Sequence, residues 1–167
     1  VGKVTVVHII TKLELGGAQQ NTLFTVAHLD RDRYEPALIT GADGMLIDEA
    51  RQLKGVRLFL IPELVREIRP LKDLAAFLKI ARILRTIKKH ARGTGGNTDR
   101  MVIVHTHSSK AGILGRWAAR LTGIRHIVHS VHGFSFHQFQ HPLVRAFYIL
   151  LERLTASITR TFILVSR

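Results

Sequence analysis

"MVIVHTHSSKAG", residues 101–112, decides how this chain is read. It opens as a continuous apolar, β-branched run, the pattern of a strand buried on both faces. It then places two hydroxyls, a lysine and a glycine where a helix begins. A helix N-terminus has unpaired backbone N–H groups and a partial positive charge, so it needs a cap or can hold an anion. Ser108 or Ser109 is expected to cap the helix, with an anion site as the alternative.

The rest of the chain repeats this strand-then-helix grammar. "KVTVVHII" (3–10) is a second β-branched run, followed by helical spacing in "QNTLFTVAHL" (20–29). "EPALIT" (35–40) reads as a short strand. "MLIDEARQLKG" (45–55) reads as a helix with Gly55 at its C′ position. "VRLFLI" (56–61) is a strand stopped by Pro62, and an amphipathic helix runs from Lys72 to Arg92. Phe77, Ile80, Ile83, Leu84 and Ile87 lie on one side of it; Lys79, Arg82, Arg85, Lys89 and Arg92 lie on the other, with no obvious acidic partners. "RGTGGNTD" (92–99) is a loop. "MVIVH", "HIVHSVH" (126–132) and "FILVS" (162–166) add three strands, with helices near 110–122 and 143–160.

Six strands alternating with five helices imply right-handed βαβ units: an α/β fold with a Rossmann-like, doubly wound, mostly parallel sheet. Their apolar faces are expected to pair among themselves, leaving no strand waiting for a partner domain. In such sheets ligands bind beyond the carboxyl ends of the strands, where strand order reverses. Three loops are therefore expected on one edge. The first carries Gly16 and Gly17, which would let the backbone turn tightly and approach a ligand without a Cβ in the way; a purely structural turn is the alternative. It is not the G-x-G-x-x-G of dinucleotide enzymes, and no acidic residue ends the second strand. The second loop carries His107, Ser108, Ser109 and Lys110. The third begins at His132 and Gly133 and continues through Phe134 and Phe136.

Ten histidines, seven of them from His105 onward, raise the question of a metal. His105 and His107 are expected on opposite faces of their strand, as are His126 and His129, and no H-E-x-x-H is present. The expectation is no metal site and no cofactor. His132 is the best functional candidate because it ends a strand at the ligand edge; an imidazole that merely shapes the turn is the alternative.

Composition sets the outer limits. The 167 residues suit one domain, and 46% hydrophobic content argues against disorder. With no cysteine, disulfides, thiolate metal sites and cysteine nucleophiles are excluded. No leader is visible after Val1 and no apolar run is long enough to cross a bilayer, so a soluble or surface-attached chain is expected. Twenty-five Lys and Arg against twelve Asp and Glu give a net charge of +13, which attracts phosphates, nucleic acid or anionic lipid. The basic residues are not interleaved with stacking aromatics and no nucleic-acid motif appears, so no nucleic-acid partner is expected.

"VVHIITKLELGGAQQNTL", "PELVREIRPLKDLAAFLKIARIL" (62–84), "VHTHSSKAGILGRWAARLTGI" and "VHSVHGFSFH" together resemble the amino-terminal domain of family 4 glycosyltransferases, the retaining enzymes of GT-B fold. The order is preserved over nearly the whole chain. Two local features depart from the pattern: the long "RGTGGNTD" loop, and Phe162 where a more polar residue is ordinary.

That resemblance implies the site roles. Gly16 and Gly17 would bring backbone amides near a donor pyrophosphate. His132, beside Gly133, would lie close to the transferred sugar. His107, Ser108, Ser109 and Lys110 would line the acceptor side of the cleft, the serines both capping the helix and facing it and Lys110 adding charge at its mouth. The implied reaction moves a sugar from a nucleotide diphosphate sugar to an acceptor hydroxyl with retained configuration, without an essential metal. It also implies a second, nucleotide-binding domain absent from this chain, so residues 1–167 are read as the amino-terminal, acceptor-side half, inactive alone. The expected acceptor is a glycan or lipid-linked molecule. The expected location is cytoplasmic, with the basic helix meeting an anionic membrane surface or simply solvated. A sugar-nucleotide epimerase of related architecture and a basic nucleic-acid-binding module are the alternatives.

Overall fold

The computed structural model describes residues 2–91, 100–132 and 141–165. Strands and helices alternate in the order β1 (Val4–Ile9), α1 (Gly17–His28), β2 (Tyr34–Thr40), α2 (Ile47–Gln52), β3 (Arg57–Leu60), α3 (Pro70–Ala91), β4 (Val102–His107), α4 (Ser109–Leu121), β5 (His126–Val131), α5 (Pro142–Ala156) and β6 (Thr161–Leu164). Each lies within a few residues of its expected place. Helix α2 is shorter than its pattern because Leu53 is already extended at the C-cap (φ −64°, ψ 107°), while Gly55 takes φ +69° in the turn beyond. The loop 92–99, Arg92, Gly133, Phe134, Phe136 and Ser166 lie outside the described residues.

All six strands are parallel, in the order β3-β2-β1-β4-β5-β6. Each pair of consecutive strands is joined through a helix, which is how a parallel crossover is made. Strand order reverses between β1 and β4, so the crevice of the doubly wound fold opens at the ends of those two strands. His8 of β1 lies in register with His105 of β4, and Ile9 with Thr106.

The sheet is packed on both faces. On one, Val7, Ile9, Ile39, Val104 and Ile127 meet Ile80, Leu84 and Ile87 of α3 and Ala111 and Ala118 of α4. On the other, Ile10, Leu13 and Leu38 meet Leu23 of α1 and Ile47 and Ala50 of α2. Helix α4 sits very close to the strands. A Cβ at Gly112 would fall 2.7 Å from His129 Cε1, and one at Gly115 2.8 Å from Thr106 Cγ2. Small residues at this spacing are therefore required by packing.

Arg116 of α4 is completely buried. Its Nη2 lies 2.8 Å from Glu152 Oε2, Nη1 donates to Thr159 Oγ1 at 3.2 Å, and Nε donates to the Gly112 carbonyl at 2.9 Å. A buried charge is tolerated only with such full pairing, and the pairing fastens α5 to α4. Thr155 of α5 is also buried, where it accepts the Trp117 Nε1–H at 3.0 Å, but the outer side of the helix is open, with Leu143, Phe147 and Leu150 more than half exposed, and β6 is exposed along its length. The expected closure of all apolar faces among themselves thus fails at this end of the sheet.

Helix α3 buries the expected stripe: Ile80, Leu84 and Ile87 are inside, with Phe77 and Ile83 partly so. Its basic side does have an acidic partner, because Lys79 lies 2.6 Å from Glu63. Lys88 is likewise committed, donating to the carbonyls of Thr122 and Gly123. The outward stripe begins with exposed Leu71, Leu74 and Leu78 and continues at helical spacing through exposed Arg82, Arg85 and Lys89. Among the described residues no helix is long and apolar enough to cross a membrane.

Candidate functional site

A cavity of about 520 Å³ lies at the carboxyl edge of the sheet, at the β1/β4 reversal point. Thr11, Gln19, Arg66, Ser108, Lys110 and His132 are among the residues that line it. They come from the end of β1, the start of α1, the loop after β3, the start of α4 and the end of β5. The expected meeting of three loops on one edge is what brings them together. A larger hollow of about 630 Å³, bordered by Lys88, Arg100, Arg120 and Arg125, lies at the opposite, amino edge of β4 and β5. The general rule for open α/β sheets places ligands at the carboxyl edge, so the smaller cavity is the candidate.

Ser108 has φ 62° and ψ 156°, and no other non-glycine residue among those described has positive φ. That backbone region is almost reserved for glycine and costs about 1–3 kcal/mol, a strain that concentrates at functional sites. The strained turn is clamped from β1: Ser108 Oγ lies 2.8 Å from Thr11 Oγ1 and accepts the Thr11 N–H at 3.4 Å. The expected serine cap is not formed. Neither serine makes a side-chain cap; instead Thr11 Oγ1 accepts the Ala111 N–H at 3.1 Å and caps α4 from across the crevice. A hydroxyl aimed by φ 62° cannot also reach back to its own helix, so the neighbouring strand supplies the cap.

Lys110 also differs from its expected part. Its Nζ lies 2.5 Å from Asp73 Oδ1, donates to the Val65 carbonyl at 2.9 Å and donates to the Glu67 carbonyl. Asp73 in turn accepts the Arg69 N–H at the start of α3. The ammonium, with its side chain only 16% exposed, staples α4 to the segment leading into α3. Arg66 brings a guanidinium to the cavity wall, and Lys12 is paired with Glu14 at 2.8 Å.

Gly16 is the N-cap of α1, with an extended backbone at φ −178°, and Gly17 is not at positive φ. A tight turn is therefore not why glycine stands here. A Cβ on Gly17 would meet nothing within 4 Å, and one on Gly16 only the mobile end of Gln19. What the pair provides is bare backbone beside open space, at an α1 N-terminus with no acidic residue in its first turn and no side-chain cap.

Four histidines, His8, His105, His107 and His132, form one connected array. Residues two apart on a strand share a face, so His105 and His107 lie together, their ring centroids 4.3 Å apart, and not on opposite faces as expected. His8 joins them from β1, its Nδ1 3.0 Å from His107 Nε2, and His107 Nδ1 lies 3.3 Å from His132 Nε2. His105 Nε2 is 2.8 Å from Ser130 Oγ. His107 is almost wholly buried behind His132, which is the member that reaches the cavity. Burial, reinforced by the neighbouring imidazoles, holds His8 down to about 3, His105 to about 4 and His107 well below the usual range. Burial also lowers His132. The array is therefore neutral at pH 7. On the other face, His129 bonds Thr106 Oγ1 at 2.8 Å; burial, with Arg116 nearby, lowers it to about 3.

Five expected residues thus converge. Ser108, Ser109, Lys110 and His132 line the cavity, and His107 supports His132 from behind. Gly16 and Gly17 stand next to the lining residues Ala18 and Gln19, and Gly133 lies outside the described residues. Thr11, His8, Arg66 and Tyr148 were missed. The sequence shows a hydroxyl after β1 as it does after β4, but that Thr11 and Ser108 meet follows only from the β1–β4 register, each lying two residues beyond the Ile9–Thr106 pair.

The known proteins agree with this geometry. Residues 16–167 match the glycosyl transferase 4-like domain. The chain is 34% identical over 161 residues, 96% of its length, to UDP-Gal:alpha-D-GlcNAc-diphosphoundecaprenol alpha-1,3-galactosyltransferase of Escherichia coli, and spans 38% of that relative's length. A six-stranded parallel sheet with a strained, clamped turn at its reversal point, and a sequence match over nine-tenths of its length, lead to one statement: this chain belongs to the glycosyl transferase 4-like domain family.

Proposed function

We propose that the chain is the amino-terminal, acceptor-side domain of a glycosyltransferase that moves a sugar from a nucleotide diphosphate sugar to an acceptor hydroxyl with retained configuration. The observation that carries this reading is the cavity at the β1/β4 reversal point, in a chain of this family. The Escherichia coli relative is named for galactosyl transfer from UDP-Gal to a diphosphoundecaprenol-linked sugar. A lipid-linked acceptor in glycan or glycolipid synthesis is the corresponding proposal here, with a peripheral place at the cytoplasmic face of a membrane. A second domain would supply the nucleotide recognition.

The residues divide the work as follows. Expelling a nucleoside diphosphate needs preorganised donors where negative charge develops. The bare backbone at Gly16 and Gly17 and the guanidinium of Arg66 are placed to supply them. His132, neutral and held by His107, lies near the transferred sugar. Ser108 and Ser109 face the acceptor side, and Lys110 keeps that wall in place through Asp73. The decisive experiment is a product assay on the full-length protein with a panel of nucleotide sugars and polyprenyl-diphosphate-linked acceptors. Transfer with retained anomeric configuration supports the proposal. Epimerised sugar nucleotide without transfer, or an inverted product, overturns it.

A further inference from the structure

The array that ends at His132 begins with three imidazoles, of which only His107 has been given a part in the proposed transfer, as the support of His132. His8, His105 and His107 come from adjacent strands, and one nitrogen of each lies within 4.8 Å of the others. Ring centroids are 4.3 Å apart for His105 and His107, 4.9 Å for His8 and His105, and 5.3 Å for His8 and His107. We propose that His8, His105 and His107 form a binding site for a divalent transition-metal cation with the nitrogen preference of Zn²⁺.

Two features of the cluster support this assignment. The first is outer support. A metal-binding imidazole normally uses its second nitrogen in a hydrogen bond that sets the ring's orientation. His105 spends Nε2 on Ser130 Oγ and His107 spends Nδ1 on His132. Each ring therefore keeps its other nitrogen for the cluster. The second is spacing. His8 Nδ1 and His107 Nε2 are 3.0 Å apart, close to the edge of about 3.3 Å that a tetrahedron with Zn–N bonds of about 2.0–2.1 Å requires.

The ligand set is neutral and has three members, so a fourth position would be open and would favour an anion such as hydroxide. Hard, oxygen-seeking cations such as Mg²⁺ are not expected here, because no carboxylate belongs to the cluster. The competing description is a metal-free chain of hydrogen-bonded imidazoles that only supports His132.

The test is titration of tag-free, chelator-treated full-length protein with Zn²⁺ by calorimetry and with Co²⁺ by visible absorption. One equivalent should bind, with intense cobalt bands of tetrahedral coordination, and Mg²⁺ should not compete. His105→Gln should abolish the cobalt bands. Ser130→Ala, which removes only outer support, should weaken binding by about 10–100-fold, while His90→Gln at an exposed position should change nothing. Imidazole ¹⁵N spectra of the unaltered protein give a readout that survives if a variant does not fold: Zn²⁺ should shift nitrogens of exactly these three rings. Failure to bind one equivalent, full affinity in folded His105→Gln, or shifts confined to other histidines would overturn the site. Binding is read without any transfer reaction, so a negative result leaves the functional proposal standing.

Discussion

Thr11 and Ser108 touch through their hydroxyls, 2.8 Å apart, although 97 residues separate them in the chain. One follows β1 and the other follows β4, so this contact spans the point where strand order reverses. It does two things at once. Thr11 caps α4 through the Ala111 N–H, and Ser108 is held in a backbone conformation it would not choose.

Thr11→Val should accordingly cost about 1–2 kcal/mol in stability, the range for a lost cap. Thr11→Ser should restore most of it. Chemical denaturation of both variants checks this; a Val variant as stable as the parent would show that the cap contributes nothing.

His132 touches the cavity and is held by His107, away from the apolar core. In the full-length protein, His132→Ala should lower turnover about a hundredfold or more, corresponding to about 2.7–4 kcal/mol in barrier. Its melting temperature should change little. Near-normal turnover with every donor tested would make the residue structural.

The buried His129 gives the protein a defined acid sensitivity. Its folded pKa of about 3 lies below the usual 6.5, so the unfolded chain binds the extra proton first as pH falls. The stabilisation is fully present above pH 6.5 and is lost on descending toward pH 3, by about 2 kcal/mol at pH 5. Denaturation curves at pH 7 and pH 5 should differ by that much more in the parent than in His129→Gln. Equal pH dependence in the two would show that His129 is not the group responsible.

Leu71, Leu74 and Leu78 followed by Arg82, Arg85 and Lys89 form an exposed stripe that is apolar at one end and cationic at the other. Sedimentation with anionic vesicles at low salt should recover the protein, and neutral vesicles should not. Each basic residue near the surface contributes about 1 kcal/mol, so Arg82→Glu with Arg85→Glu should reduce binding steeply. Equal recovery with both vesicle types would leave the stripe a solvated face.

Residues 1–167 by themselves should bind UDP-, GDP- or ADP-sugars no better than about millimolar, some 4 kcal/mol, and should transfer nothing. On the proposed reading the chain is one wall of a cleft, and one wall alone cannot hold donor and acceptor in register. Calorimetry beside a transfer assay on the same preparation checks both halves. Micromolar affinity or measurable transfer would show that this chain needs no second domain.

Local pattern determined the elements. Continuous β-branched runs such as "VTVVHI" and the 3.6-residue spacing of Ile80, Leu84 and Ile87 depend only on neighbours in the chain, and those elements are where the pattern put them. Alternation of strand and helix then implied a parallel, doubly wound sheet, and with it the edge where Ser108, Lys110 and His132 meet. Partner choice was decided by tertiary structure, because it depends on which strands become neighbours. Only the β1–β4 pairing puts Thr11 rather than a serine on the α4 cap, and only it brings His8 to His105 and His107. Likewise Lys110 reads as free charge until α3 brings Asp73 to it. Sequence spacing ranks residues along one element; hydrogen bonds and burial act across elements, and it is there that these side chains acquired their roles.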